Sequence, residues 1–475
     1  MNSAVNRTDP TEDMLPPPGA RALRGASLCQ TLHWLASGRV RAGELTQIYL
    51  DAIAEHNPRL NAYVQINAAA LAEAQAADAR RSGGKFGRLD GMPVAIKDNF
   101  DVAGLTTGAG LPAPASPAGR DAHVVERLRG AGAVILGKAQ ASEGSLGASS
   151  ANPHTGDAHN PVRPGYQAGG SSGGCAVAVA AGLCAAAIGS DSLGSIRIPA
   201  SYCGVFALKP TAGEISAYGM LPAARRLDTV GMMARSVDDL GVLLHVLRGH
   251  DPRDARSRRR RVDLALPDWE PGKLRVGVLG DLGAWGTEPG VQGAFARALM
   301  ALEHEIGNRR NVDFGDFPLQ RARRAAFFVI ETEMLATHAT ALADKARPVS
   351  KELTKLLDYA RGKSAADYAD ADRLLDAAVV ESRRMFGEID VLVTPTTPQT
   401  AFPLEAAVPD NSGDFTCFAN FSGCPAVTIP MGNTSDGLPT GLQFMGPPGS
   451  DLRLLELAEV CAAALDATPT YPIGQ

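Results

Sequence analysis

The sequence predicts an α/β protein with a largely buried sheet, and three observations lead there. Short apolar runs of strand length alternate with helical stretches along most of the chain. The runs are rich in Val, Ile and Ala with little polar alternation, as buried strands are. Composition is that of an ordinary globular protein: 45% hydrophobic, 20% charged and 5% aromatic. The 475 residues allow about three domains at ~150 residues each, or one large α/β unit with insertions.

Residues 1–26, rich in Pro, Arg and Asp without a sustained period, read as a mobile lead-in. A helical pattern over 31–56 breaks at Gly38. Residues 62–66 read as a strand, 68–81 as an alanine-rich helix, and 91–97 as a short strand ending in Lys97. A helix near 122–129 precedes a strand at 133–137. From 152 to 174 three prolines and a dense Gly/Ser run predict a long loop, the kind that is functional or disordered. An Ala/Val helix over 176–187 and a second Gly/Ser stretch over 189–195 follow. Residues 274–280 read as a strand, 319–388 as almost wholly helical, and 391–393, 426–429 and 441–444 as strands before a closing helix at 451–465.

Charge excludes one class of function. Lys and Arg total 46 against 51 Asp and Glu, a net −5, which makes no electrostatic case for nucleic-acid binding. The one basic run, Arg258 to Arg261, reads as a solvated linker. Seven cysteines without CxxC spacing suggest buried thiols rather than disulfides or zinc. The nine histidines show no paired-ligand spacing, so neither metal nor cofactor is expected. No signal-peptide pattern and no apolar run of ~18 residues is present, so a cytoplasmic protein without membrane partners is expected.

Three places carry residues suited to chemistry. Only nine of the 46 basic residues are lysines, and Lys97 ends an apolar strand. Burial there would lower its pKa toward that of a useful base; a strand-end lysine reaching for solvent is the plain alternative. The run Gly169-Gly170-Ser171-Ser172-Gly173-Gly174 can be a flexible loop, an anion-binding nest or a loop presenting a reactive serine. Gly194 before Ser195 lets backbone N–H groups converge, as an oxyanion hole requires, and Asp191 with Arg197 can pair across the turn. A tight structural turn explains the same residues.

Together these segments resemble the amidase signature family. The resemblance rests on Gly169–Gly174, Asp191-Ser-Leu-Gly-Ser195-Ile-Arg-Ile-Pro-Ala, Cys203-Gly-Val-Phe-Ala-Leu-Lys-Pro-Thr211 and Gly91-Met-Pro-Val-Ala-Ile-Lys97-Asp. The 24-residue spacing of Ser171 and Ser195 matches the family's serine pair. It is strong over 27–250, moderate over 385–466 and weak between 255 and 385. It implies one α/β/α domain over 27–475, with a mixed central sheet covered by helices on both faces and a variable, mostly helical insertion near 255–385.

The resemblance also implies an amidohydrolase that cleaves a small carboxylic amide through an acyl-serine intermediate. Ser195 would be the nucleophile, Ser171 the proton relay in a cis peptide, and Lys97 the base. Backbone N–H groups of Ser192, Leu193, Gly194 and Ser195 would form the oxyanion hole, with Gly170, Ser172, Asp191 and Arg197 in support. Leu193 stands where the family carries glycine, which restricts φ and motivates a non-catalytic alternative. A glutamine-amidase component of an amidotransferase is the other alternative. Against it, Gly413 stands where that subfamily places an acidic residue, seven positions before Asn420. Tyr218, Phe327, Phe328, Phe415 and Phe418 can line an acyl pocket or simply fill the core. A homodimer is compatible with all of these readings.

Overall fold

The structure is a computed structural model that describes residues 19–112, 116–259 and 273–469. The described residues form eleven strands: β1 (Tyr63–Ile66), β2 (Pro93–Lys97), β3 (Val134–Ala139), β4 (Ala186–Asp191), β5 (Phe206–Lys209), β6 (Thr229–Ala234), β7 (Val276–Leu279), β8 (Arg309–Val312), β9 (Val391–Pro395), β10 (Ala426–Asn433) and β11 (Pro439–Met445). They join one sheet in the order β1-β3-β2-β4-β6-β5-β10-β11-β9-β7-β8. The sheet is mixed. β2 runs parallel to β3 and β4, and β7 parallel to β8 and β9, whereas β4–β6, β5–β6, β5–β10, β10–β11 and β9–β11 are antiparallel.

Every residue of β2, β3, β4 and β6 is buried. Successive strand side chains point to opposite faces, so complete burial means that helices cover both. This is the α/β/α architecture with a mixed central sheet that the resemblance implied.

Most expected elements form within a few residues of their positions. The helical pattern at 31–56 divides into Leu28–Ala36 and Ala42–Leu60 around Gly38, and 319–388 folds as Leu319–Thr337, Ala339–Ala343, Lys351–Arg361 and Ala365–Glu388. Within 255–385, β7 and β8 also extend the central sheet. Of the segment 1–26, residues 1–18 lie outside the described residues, while Ala20–Gly25 forms a helix that buries Leu23.

Two expectations are corrected. The Ala/Val helix ends at Ala180, Gly182 turns the chain at φ +65°, and 186–191 is the central strand β4. An apolar run of small residues has no periodicity to separate buried helix from buried strand, so pairing with β2 and β6 decides. The Gly/Ser stretch 189–195 accordingly begins inside this strand, which runs to Asp191. The basic run is tied to the body of the protein before Arg260 and Arg261 leave the described residues. Arg256 Nη2 donates to the Asp228 carbonyl at 2.7 Å and Arg258 Nε to the Ala212 carbonyl at 3.0 Å.

Candidate active site

β2 and β4 are parallel neighbours, so their carboxyl ends open on the same edge of the sheet. Lys97 ends β2, and Ser190 lies at the end of β4. Lys97 is fully buried; its Nζ lies 2.8 Å from Ser171 Oγ and 3.0 Å from Ser190 Oγ. Burial disfavours the ammonium and pulls its pKa down to about 8, while the Cys175 thiol and the Asp228, Asp191 and Asp98 carboxylates limit the fall. The snorkelling alternative is therefore set aside for this side chain. Ser190 is held from behind by Asn99 Nδ2 at 3.0 Å. Neither Ser190 nor Asn99 stood out in the sequence, because a serine inside a strand has no motif of its own.

The Gly/Ser run is an ordered turn that enters the helix Gly173–Ala180. The Gly170–Ser171 peptide is cis. Ser171 and Ser172 are buried; Ser171 accepts from Lys97, and Ser172 Oγ donates to the Ser190 carbonyl at 3.1 Å. The backbone N–H of Ser172 donates to the Ser195 carbonyl at 3.2 Å, which stitches the two serine segments together. Ser195 is partly exposed and faces a cleft.

The turn that carries Ser195 is organised by a buried ion pair. Arg197 Nε donates to Asp191 Oδ2 at 2.9 Å and Nη2 to Oδ1 at 3.0 Å, with both side chains fully buried. The remaining guanidinium N–H groups reach Asn420 Oδ1, the Thr416 carbonyl and Gln443 Oε1 at 2.7–2.8 Å, so all five donors have acceptors. Burial pushes the Asp191 carboxyl up, but Arg197, Lys209 and Asn420 overcome it and hold the pKa at about 2. Asp191 Oδ1 also accepts the Gly194 N–H at 2.7 Å, and Oδ2 the Ile196 N–H at 3.3 Å.

This changes the expected oxyanion hole. The Gly194 N–H is committed to Asp191 and cannot also point into the cleft. Among the described residues, nothing accepts from the N–H groups of Ser192, Leu193 and Ser195. Leu193 keeps an ordinary φ, and the left-handed backbone falls on Gly194 at φ +123°. The strain expected of Leu193 is therefore absent. Its side chain walls the cleft, and its carbonyl accepts from Thr416 Oγ1 at 2.6 Å. Ser192 Oγ donates to Asp228 Oδ1 at 2.5 Å. Burial raises the Asp228 carboxyl to about 6, against the Ser192 hydrogen bond and Arg256.

The cleft has a volume of about 960 Å³. It is lined by Leu146, Leu193, Ile198, Phe327, Ile330 and Leu353, together with Ser195 and Ser192. Of the five aromatic residues considered from sequence, Phe327 alone reaches it. Phe328, Phe415 and Phe418 are core residues, and Tyr218 lies beneath the Arg120 and Arg253 guanidiniums. Arg324 pairs with Glu331, and Arg323 lies 2.6 Å from Asp414. Among the described residues, no three His, Cys, Asp or Glu side chains gather in a way that holds a metal ion.

The fold has close parallels. The family profile described as Amidase matches residues 44–455, and the chain belongs to this family of amidase signature enzymes. The A component of the glutamyl-tRNA(Gln) amidotransferase of Chloroflexus aurantiacus is 34% identical over 470 residues, covering 90% of this chain and 93% of the relative. The peptide amidase from Stenotrophomonas maltophilia superposes with a TM-score of 0.80 at 30% identity, covering 94% of this chain and 99% of that one. An inhibitor-bound structure from work on a vestigial protein complex and the origins of an s-triazine catabolic enzyme reaches 0.86 at 31% identity. It covers 94% of this chain and all of that one. No described helix is long and apolar enough to cross a membrane.

Proposed function

We propose that this protein is an amidohydrolase acting on a small-molecule carboxylic amide, with Ser195 as nucleophile, Ser171 as relay and Lys97 as base. The observation that carries the reading is Lys97 Nζ, fully buried and 2.8 Å from Ser171 Oγ, the serine next in the chain to Gly170, which lines the cleft together with Ser195. With its pKa near 8, Lys97 spends an appreciable fraction of time neutral at physiological pH. It takes the Ser171 proton, and Ser171 takes that of Ser195 as Ser195 Oγ bonds to the amide carbon. The negative charge that develops on the carbonyl oxygen meets the N–H groups of Ser192, Leu193 and Ser195, an interaction worth about 3–4 kcal/mol per donor in such sites. The relay then returns a proton to the departing nitrogen. Ammonia or an amine leaves, and water releases the acyl group from Ser195.

The apolar walls support an amide with a hydrocarbon or aromatic body. A panel of aliphatic, aromatic and urea-type amides, assayed for amine or ammonia release, tests the activity. Fluorophosphonate labelling and peptide mapping should tag Ser195. Full turnover by Ser195→Ala, or a label on Ser171 instead, overturns the assignment.

A second reading is a glutamine amidase component within an amidotransferase, favoured by the identity to the glutamyl-tRNA(Gln) amidotransferase relatives along most of the chain. It expects glutamine hydrolysis that rises when a partner protein binds. Gly413 lines the cleft and carries no acidic group there, which favours the stand-alone enzyme.

A further inference from the structure

The short turn after β3 joins the serine segment to the helical wall of the cleft. Ser142 donates its N–H to the Ser171 carbonyl at 3.2 Å. Next to it, Glu143 is 9% exposed, and its carboxylate meets two other segments. Oε1 lies 2.8 Å from His154 Nε2, in the long loop, and accepts the Ser350 N–H at 2.8 Å. Oε2 accepts the Ser350 hydroxyl at 2.5 Å.

Ser350 is the N-cap of the helix Lys351–Arg361, and its hydroxyl accepts the Leu353 N–H at 3.0 Å. One carboxylate therefore grips the start of a helix whose Leu353 and Leu356 wall the cleft. A negative charge at this end of a helix is also favoured by its dipole. Gly144, next in the chain, has φ +62°, a left-handed backbone that favours glycine, and faces Met334 on the helix Leu319–Thr337 that also lines the cleft.

We propose that Glu143 is a positioning residue for substrate selection. By clamping Ser350 it sets how far the Leu353–Leu356 wall stands from Ser195, and so which amides are held against the nucleophile. The proposal rests on the amidase reading and deepens it. Amides with a bulky apolar group need that wall; an amide as small as propionamide does not reach it.

The test compares Glu143→Ala, Glu143→Gln and the parent on a bulky anilide and on propionamide. In Glu143→Ala the ratio of kcat/KM for the anilide to that for propionamide should fall at least ten-fold, mainly through KM. Glu143→Gln, which keeps a carbonyl acceptor, should recover most of the ratio. Hydrogen–deuterium exchange over 352–357 should quicken at least five-fold in Glu143→Ala, with 173–180 as in the parent. This readout needs no turnover, so it judges the clamp even if the parent hydrolyses no amide and the amidase reading fails. A ratio within two-fold of the parent, or unchanged exchange over 352–357, overturns the proposal. Equal loss on both amides with faster exchange over 173–180 also overturns it, because that marks general damage to the serine segment.

Discussion

The carboxylate of Asp191 holds the backbone N–H of Gly194 at 2.7 Å while pairing with Arg197 through both oxygens. One buried ion pair thus shapes the turn that presents Ser195. Removing a single partner leaves an uncompensated buried charge, which costs about 3–5 kcal/mol. Asp191→Ala should therefore lower the unfolding midpoint sharply and abolish turnover. Thermal unfolding followed by circular dichroism checks the first, and the amide assay the second.

Gly194 is where that turn needs a glycine. Its φ is +123°, and a Cβ there would lie 2.2 Å from Thr416 Oγ1. Gly194→Ala should cost about 1–3 kcal/mol from backbone strain and the clash. Its kcat should fall at least a hundred-fold, because the neighbouring N–H groups are displaced. Parent-like kcat in the purified variant would contradict this geometry.

Lys97 sets an expected pH dependence. Its base form grows as pH rises through about 8, so kcat/KM should climb along a limb with its inflection near there. A rate that is flat between pH 6 and 9 would rule out this role. Stability follows from the same shift. Between about 8 and the ordinary lysine value of 10.5 the unfolded chain binds the proton and the folded one does not. The Lys97 contribution to stability therefore rises with pH in that window, by up to ~1.4 kcal/mol per pH unit. Buried cysteines such as Cys175, Cys184 and Cys203, whose thiols burial pushes up, contribute the opposite slope above about 9. Buried Lys209, also near 8, contributes in the same direction as Lys97, so Lys97→Met should make the stability change from pH 8 to pH 10 less positive than in the parent. Denaturant melts at pH 8 and 10 measure it.

Wall and core aromatics should separate cleanly. Phe327→Ala should raise KM for an aryl amide several-fold while changing stability little, because the ring is only partly buried and faces the cleft. Phe418, 1% exposed and packed against Phe314 and Phe317, should cost about 3–5 kcal/mol on truncation, with KM barely altered in the folded fraction. Chemical denaturation and steady-state kinetics on both variants test the pair.

Much of the site was legible in the chain because its parts are local. A lysine closing an apolar run, a glycine-flanked serine pair and an Asp-Arg turn are each visible within a dozen residues. The alternation of apolar runs likewise announced an α/β protein. The supports were not legible. Ser190, Asn99 and Thr416 are ordinary polar residues until the fold brings Ser190 to Lys97, Asn99 to Ser190 and Thr416 to the Leu193 carbonyl. The expected helix ran into the first two residues of β4, Ala186 and Ala187, because small apolar residues suit either state when buried, and pairing with β2 and β6 chose between them.

By itself, then, the sequence determined the class of fold and the three residues offered for chemistry, since composition, apolar periodicity and short motifs are local properties. The tertiary structure decided which N–H groups can face the cleft, which aromatic residue reaches it and what holds its helical wall. Those outcomes depend on contacts between distant segments, such as Glu143 with Ser350 and Arg197 with Gln443, whose partners are selected by packing rather than by spacing along the chain.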